Sequence, residues 1–199
     1  LWLSVIAIIY GGYMALAQSD LKKLVAYSSV SHMGFVTLGI FVFNSQGIQG
    51  AVLQMFNHGI TAAALFICVG QLYDRTHSRA ISDYGGLHKP MPRFVALFFL
   101  FSVGSFGLPG TSNFIGEFLS LVGAYSVFPV ITALAALGII GSAIYGVVLF
   151  QNAFQGPVKC SFTEVTAREL LIASSLLLTL LVFGLMPELL LQYTFKGVN

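Results

Sequence analysis

The stretch SFGLPGTSNFIGEF, residues 105–118, interrupts an apolar segment over 93–125 that is long enough to cross a membrane. Proline, which has no backbone N–H, and glycine, which has a low helix propensity, both disfavour a continuous helix. We therefore expect the helix to break at Gly107, Pro109 and Gly110. Within hydrocarbon, such a break is tolerated only where protein or a water-filled cavity satisfies the freed backbone groups.

One acidic residue, Glu117, follows the break, and it is the sole acid between Arg93 and Glu164. A charge at the centre of a membrane helix costs roughly 2.5–3.5 kcal/mol, so an acid at that depth is usually functional. In a straight helix, counting about 1.5 Å per residue from Arg93 would place Glu117 near the far interface, where the cost is lower. A break in the helix makes a count along a straight helix unreliable. We therefore favour an ion path that includes this carboxyl group.

The composition indicates a polytopic membrane protein. Hydrophobic residues make up 57% of the 199 residues and charged residues 8%, and the mean hydropathy is +0.89. A soluble domain carries roughly 25% charged residues. The formal charge of +2 gives no reason to expect a nucleic-acid partner. Cys68 and Cys160 lie far apart without metal-ligand spacing, so we expect neither a disulfide nor an iron–sulfur site.

The hydrophobic pattern predicts an all-α transmembrane bundle of about six spans, since a spanning helix needs about 20 apolar residues. Polar loops are expected over 73–93 and 152–169, and a short turn over 44–47. Because the chain starts at Leu1 inside an apolar run, we expect it to be part of something longer. A signal peptide is less favoured, because no basic segment comes first. The expected spans are 1–17, 24–43, 48–72, 94–122, 128–151 and 170–190.

Basic residues define the orientation of these spans. Eight of the nine lie in or beside the connections after the first, third and fifth spans, and only Lys196 lies on the opposite side. This positive-inside pattern places those connections in the cytoplasm or mitochondrial matrix, and both chain ends on the other side. The eight residues are Lys22, Lys23, Arg75, Arg79, Lys89, Arg93, Lys159 and Arg168.

Polar residues within the second and third spans form helical stripes. Ser28 and His32 are four residues apart and share one face. Small and polar residues also serve helix packing in membranes, but an imidazole at that depth needs partners and can carry a proton. Two histidines are compatible with a metal site, which we do not favour because no acid or third histidine is expected at their level. The third-span stripe contains Gln54, Asn57, His58 and Thr61.

The remaining spans differ in polar content. Asn113 and Thr111, just beyond the break, can bond to freed backbone groups or to water. The fifth span has few polar residues, and we assign it no chemistry. The sixth span is almost wholly aliphatic and is typical of a peripheral, lipid-facing helix.

Three stretches carry a family resemblance: AQSDLKKLVAYSSVSHMGFV (17–36), QGAVLQMFNHGITAAALFICVGQLYDR (49–75) and GLPGTSNFIGEFLSLVGAY (107–125). Together they resemble the antiporter-like membrane subunits of respiratory complex I, the proton-pumping NADH:ubiquinone oxidoreductase. That resemblance implies two inverted five-helix repeats in the family, each a half-channel with one broken helix. Residues 1–151 would then be the second repeat, and 152–199 a connecting loop and C-terminal helix.

The resemblance also implies roles and partners. Glu117 matches the family's channel carboxylate, and His32 and His58 match its proton-relay histidines. The chain would hold no cofactor and would not be catalytic alone, and FMN, iron–sulfur clusters and ubiquinone would belong to partner subunits. The first repeat would come either from another chain of the membrane arm or from a longer form of this one. The location would be the mitochondrial inner membrane or a bacterial plasma membrane. A subunit of a multisubunit Na⁺/H⁺ antiporter and a purely structural fragment are the alternatives.

Overall fold

The computed structural model describes residues 1–159 and 162–195, apart from the side chains of 193–195. Cys160 and Lys196, both used in the sequence argument, lie outside the described residues. The described chain is helical, as predicted, with one short 3₁₀ segment at Ile81–Asp83. Its helices are α1 (Trp2–Leu16), α2 (Leu21–Phe41), α3 (Ser45–Thr76), α4 (Pro92–Ser105), α5 (Ser112–Tyr125), α6 (Pro129–Phe154), α7 (Ala167–Leu185) and α8 (Glu188–Phe195).

The helices follow the predicted order of spans. Within the described part of the chain, α2, α3, α6 and α7 are long and apolar enough to cross a membrane, whereas α1 is apolar but has only 15 residues. The fourth expected span is divided into α4 and α5, each of 14 residues. The expectation of an unbroken last span over 170–190 is wrong. α7 ends at Leu185 because Pro187 has no N–H with which to continue it, and α8 then follows.

The connections after α1, α3 and α6 meet at one end of the bundle, which we call the basic end. The Leu21 N–H donates to the Arg79 carbonyl oxygen (2.9 Å), joining the first connection to the second. The Gly86 N–H donates to the Gln155 carbonyl oxygen (3.1 Å), joining the second to the third. The shared face that the charge pattern predicted for these loops is therefore present in the fold.

Two carboxylates, Glu164 and Glu169, hold helix ends in place at the basic end. Both guanidinium nitrogens Nη1 and Nη2 of Arg75, at the end of α3, donate to Glu169 at 3.0 and 2.7 Å. Glu169 also forms a capping box with Thr166 at the start of α7. Glu164 accepts a hydrogen bond from the Arg93 backbone N–H (2.9 Å), so it caps the start of α4. The loop before α7 thus holds the start of α4, which is the first half of the broken span.

Glycines let α3 and α5 approach closely. A Cβ placed on Gly50 would lie 2.7 Å from Ser120 Oγ and 2.8 Å from the Gly116 carbonyl oxygen. At the end opposite the basic end, Asn44 Nδ2 donates to the Gly123 carbonyl oxygen (2.7 Å). Small residues at membrane helix crossings allow this close approach, which fixes the register of α5 against α3.

Two apolar clusters flank a polar layer. The larger includes Phe98 and Phe154, whose ring centroids are 4.7 Å apart, and Val25 on α2. The smaller includes Ile8 and Phe35. On α2, the buried polar side chains lie between Val25 and Phe35, so the polar layer separates the two clusters.

Candidate proton site

The helix break lies where the glycines and proline predicted it. α4 ends at Ser105 and α5 begins at Ser112, and Gly107 and Gly110 have φ values of +68° and +94°, which favour glycine. Asn113 Nδ2 donates to the Gly104 carbonyl oxygen (3.0 Å), a backbone group freed at the end of α4. The expectation that a side chain just past the break satisfies the freed backbone is confirmed.

Thr111 serves the same purpose within the break itself. Its hydroxyl donates to the Leu108 carbonyl oxygen at 2.7 Å. The non-helical segment is therefore held by polar side chains as well as by its own backbone, which is the condition for its survival inside a membrane.

Glu117 is buried at the centre of the polar layer, with 1% of its surface exposed. Its Oε1 lies 2.7 Å from His32 Nδ1 and accepts a hydrogen bond from Gln54 Nε2 at 3.0 Å. His32 lies 11 residues after Leu21 in the 21-residue α2, so this contact places Glu117 beside the middle of α2 and not beside its end. A Cβ at Gly107 would lie 3.0 Å from Glu117 Oε2, so the break leaves the space that the carboxyl group occupies.

The second ring nitrogen of His32 faces α6 and the end of α4. His32 Nε2 lies 2.9 Å from Tyr145 Oη and 3.3 Å from Ser105 Oγ. Sequence reasoning missed both contacts and assigned the fifth span no chemistry. The available signal was a tyrosine in an otherwise apolar helix, because a buried phenol usually finds a hydrogen-bond partner.

His58 lies beside this pair. Its ring centroid is 5.2 Å from that of His32, with the ring planes inclined by 38°. The premise that no acid shares the level of the two histidines is wrong, because Glu117 contacts His32. Even so, among the described residues no group of three or more His, Cys, Asp or Glu side chains is arranged to hold a metal ion.

The predicted stripe on α3 faces α5. Asn57 Nδ2 donates to the Ser112 carbonyl oxygen (2.8 Å), and Asn113 Nδ2 donates to Thr61 Oγ1 (3.1 Å). Ser28, also buried, donates to the carbonyl oxygen of its own helix at Val25 (2.8 Å). Thr111 is partly exposed; the other polar residues singled out within the spans are buried, and most of them connect α3 to α5.

Several buried polar atoms in this layer have no hydrogen-bond partner among the described residues. Leaving one such atom unsatisfied costs about 1–3 kcal/mol, and native proteins contain few of them. Their concentration in one layer is typical of a site that water molecules enter and bridge. The atoms are Gln54 Oε1, Asn57 Oδ1, His58 Nδ1, Ser112 Oγ, Asn113 Oδ1 and Ser120 Oγ.

Curated relatives match nearly the whole chain. NADH-quinone oxidoreductase subunit M of Rickettsia bellii is 48% identical over 196 residues, covering 96% of this chain and 40% of the relative. NADH-ubiquinone oxidoreductase chain 4 of Marchantia polymorpha is 46% identical, covering 99% and 41%. Both relatives are named as subunits of NADH:quinone oxidoreductase, the complex whose membrane subunits the three sequence stretches resemble. The chain spans about 40% of the length of these relatives.

Solved structures agree with the all-α fold. A chain of respiratory complex I from Thermus thermophilus with bound NADH is 36% identical, with a TM-score of 0.91, and the match covers 94% of this chain and 40% of that one. A chain of the Mrp complex from Dietzia has a TM-score of 0.86 over 96% of this chain and 45% of that one, but its 19% identity shows likeness of fold alone.

Residues 1–144 match the family model described as the transmembrane region of NADH:quinone oxidoreductase and the Mrp antiporter. This match covers well over half of the chain and includes the break, Glu117, His32 and His58. The chain belongs to the NADH:quinone oxidoreductase/Mrp antiporter family of membrane proteins.

Proposed function

We propose that this chain forms a proton half-channel in the membrane arm of NADH:quinone oxidoreductase. The observation that carries the proposal is the contact of Glu117 with His32, 2.7 Å between Oε1 and Nδ1, with 1% of each residue exposed. A proton shared by a carboxyl group and an imidazole can sit on either partner without changing the net charge of the pair. Such a pair can therefore hold a proton where an isolated charge is costly.

His32 gives the proton an exit on its other nitrogen. When Nδ1 receives a proton from Glu117, Nε2 can release one towards Tyr145 Oη or Ser105 Oγ, which lie 2.9 and 3.3 Å away. An imidazole thereby passes a proton through its ring, since both nitrogens can donate. Tyr145 and Ser105 orient the ring in this proposal, and a hydroxyl that takes the proton gives up its own proton to bridging water.

His58 and the α3 stripe provide the second part of the path. The ring centroids of His58 and His32 lie 5.2 Å apart, and no direct hydrogen bond joins the two rings in the described part of the chain, so in this proposal bridging water connects them. The unpartnered Nδ1 of His58 and Oε1 of Gln54 supply places where such water binds. The path therefore includes Glu117, His32 and His58.

The names of the relatives support a proposal for the wider assembly. We propose that 1–151 is one five-helix half-channel repeat, and that 152–199 provides a connecting loop and the C-terminal helices. The first repeat would lie outside these residues, either in another membrane-arm chain or in a longer form of this one, and partner subunits would hold FMN, iron–sulfur clusters and ubiquinone. The membrane would be the mitochondrial inner membrane or a bacterial plasma membrane, and the driving force would reach this chain through conformational or electrostatic coupling.

The test is removal of the acid in the assembled complex. Glu117→Gln keeps the size of the side chain but not its acidity, and Glu117→Ala removes both. In proteoliposomes, we expect both variants to lower the proton-to-electron ratio while the complex still assembles. Glu188→Gln, which changes an exposed carboxyl group on α8, is the matched control. A normal ratio in the Glu117 variants would overturn the proposal.

A Na⁺/H⁺ antiporter subunit is the second candidate, favoured by the family match and by the likeness to the Mrp complex. Co-purification with flavin and iron–sulfur subunits would favour NADH:quinone oxidoreductase, whereas Na⁺-dependent proton exchange without them would favour the antiporter. A purely structural role would leave proton pumping unchanged in the Glu117→Gln variant.

A further inference from the structure

An open cavity lies between the start of α2 and the end of α3, far along both helices from the Glu117 site. It has a volume of about 570 Å³, and it opens at the basic end of the bundle. Two basic side chains and one aromatic ring line its mouth, and apolar groups line the rest. The lining residues are Lys22, Phe66, Val69, Gly70, Tyr73 and Arg79.

The two basic residues are held next to each other by the backbone. The Leu21 N–H donates to the Arg79 carbonyl oxygen (2.9 Å), which places Arg79 beside the residue that precedes Lys22. The Arg79 guanidinium carbon lies 5.4 Å from the centre of the Tyr73 ring, a cation–π distance. Neither Lys22 nor Arg79 forms an ion pair within the described part of the chain.

The acidic residue closest in sequence, Asp20, is engaged elsewhere. Its carboxylate caps α2 by accepting a hydrogen bond from the Lys23 backbone N–H at 3.0 Å. Asp20 and Lys23 line a neighbouring polar concavity, which shares Tyr73 and Arg79 with the cavity of Lys22 but does not include Lys22 itself. The mouth of the Lys22 cavity therefore carries two positive charges and lacks a lining carboxylate.

The apolar part of the cavity is open because residue 70 has no side chain. A Cβ built on Gly70 would meet no atom within 4 Å, and the glycine is exposed on an otherwise apolar stretch of α3. Phe66 lies four residues away on the same helix face. The result is an apolar groove in the membrane region that leads to a cationic mouth at the interface.

We propose that this cavity binds an anionic phospholipid. The phosphate lies between Lys22 and Arg79, and one acyl chain lies against Phe66, Val69 and Gly70. The charge of the mouth complements the head group, and the cytoplasmic leaflet, on which the positive-inside pattern places this end, is where anionic lipids attract basic segments. The site is separate from the proposed proton path and does not depend on it.

The experiment uses the complete complex in phosphatidylcholine vesicles doped with a phosphatidylglycerol that carries a photoactivatable group on its acyl chain. After illumination, mass spectrometry measures the labelling of the peptide over 66–73. We expect Lys22→Gln and Arg79→Gln each to lower the labelling by about fivefold, and the double variant by about twenty-fivefold. Lys23→Gln, which removes a neighbouring charge outside the cavity, should leave it unchanged.

Gly70→Leu tests the groove without touching the charges. Because space is open beside Gly70, the leucine side chain should fold into the groove and displace the acyl chain, lowering the labelling while circular dichroism stays native. Gly70→Ala should lower it less. Equal labelling of 66–73 by a phosphatidylcholine probe, or labelling unchanged in the double charge variant, would overturn the proposal. Exclusion of both probes by a bound protein neighbour would overturn it as well.

Discussion

The contact between α3 and α5 makes a sharp prediction at Gly50. A Cβ there would lie 2.7 Å from Ser120 Oγ and 2.8 Å from the Gly116 carbonyl oxygen, and it would come closer still to the Ser120 backbone nitrogen. Ordinary contacts of this kind begin near 3.4 Å. Gly50→Ala must therefore separate the two helices by roughly 1 Å, at an overpacking cost of about 1–3 kcal/mol.

The same separation reaches the proton site. Gln54 lies one turn beyond Gly50 on α3, and Glu117 follows Gly116 on α5, so moving the helices apart lengthens the 3.0 Å hydrogen bond between Gln54 and Glu117. At about 2–4 °C for each kcal/mol, the midpoint of thermal unfolding should fall by several degrees. Far-ultraviolet circular dichroism of the purified chain in detergent measures this midpoint. Proton uptake by proteoliposomes that contain the assembled complex should fall as well.

Gly59→Ala is the matched control, because it makes the same change in the same helix. A Cβ at Gly59 meets no atom within 4 Å. Alanine favours a helix over glycine by about 1 kcal/mol, so this variant should be as stable as the parent or more stable. Equal midpoints for the Gly50 and Gly59 variants would refute the argument that glycine contact fixes the register of α3 and α5.

Three further predictions concern single side chains. Tyr145→Phe removes the hydroxyl that lies 2.9 Å from His32 Nε2. Loss of this buried hydrogen bond costs about 1–3 kcal/mol and should slow proton uptake by proteoliposomes of the assembled complex about fivefold or more, while assembly is retained. Arg75→Gln leaves the Glu169 carboxylate without its paired donor and should lower the unfolding midpoint by a few degrees, as seen by circular dichroism. Burial raises the pKa of Tyr84, which lies in the connection before α4. The protonated side chain therefore contributes its full stabilisation below the pKa of the unfolded chain, about 10. That stabilisation is lost as the pH rises through the pKa of the folded protein. The difference between the alkaline titrations of tyrosinate absorbance in the parent and in Tyr84→Phe gives the titration of Tyr84; a midpoint at the ordinary tyrosine pKa of about 10 would contradict the prediction.

The sequence predicts local features of this fold well. Gly107, Pro109 and Gly110 act on the backbone around them, so the break could be located without knowledge of any neighbour. The loops of the basic end could be grouped from charge alone, because the positive-inside rule depends on the membrane and not on packing. The division of the last span at Pro187 was available from the same backbone chemistry and was overlooked.

The pairings within the site could not be predicted in the same way. His32 and Glu117 are 85 residues apart, and their contact depends on how α2, α3 and α5 are aligned along their axes. That alignment follows from steric contacts such as Gly50 against Ser120, which no periodicity in one helix reveals. Tyr145 comes from yet another helix, and its phenol group indicates that a hydrogen-bond partner is needed but not which helix supplies it.

The depth of Glu117 along the bundle depends on the break between α4 and α5. α4 begins at the basic end and runs for 14 residues, about 21 Å, which ends it inside the membrane. The contact of Glu117 with His32 gives its depth, because His32 lies 11 residues after Leu21 and therefore near the middle of the 21-residue α2. A count along a straight helix therefore places the acid too far across. Because Gly107 has no side chain, its backbone also lies against Glu117 Oε2, so the interruption that keeps the acid at mid-depth also makes room for its carboxyl group.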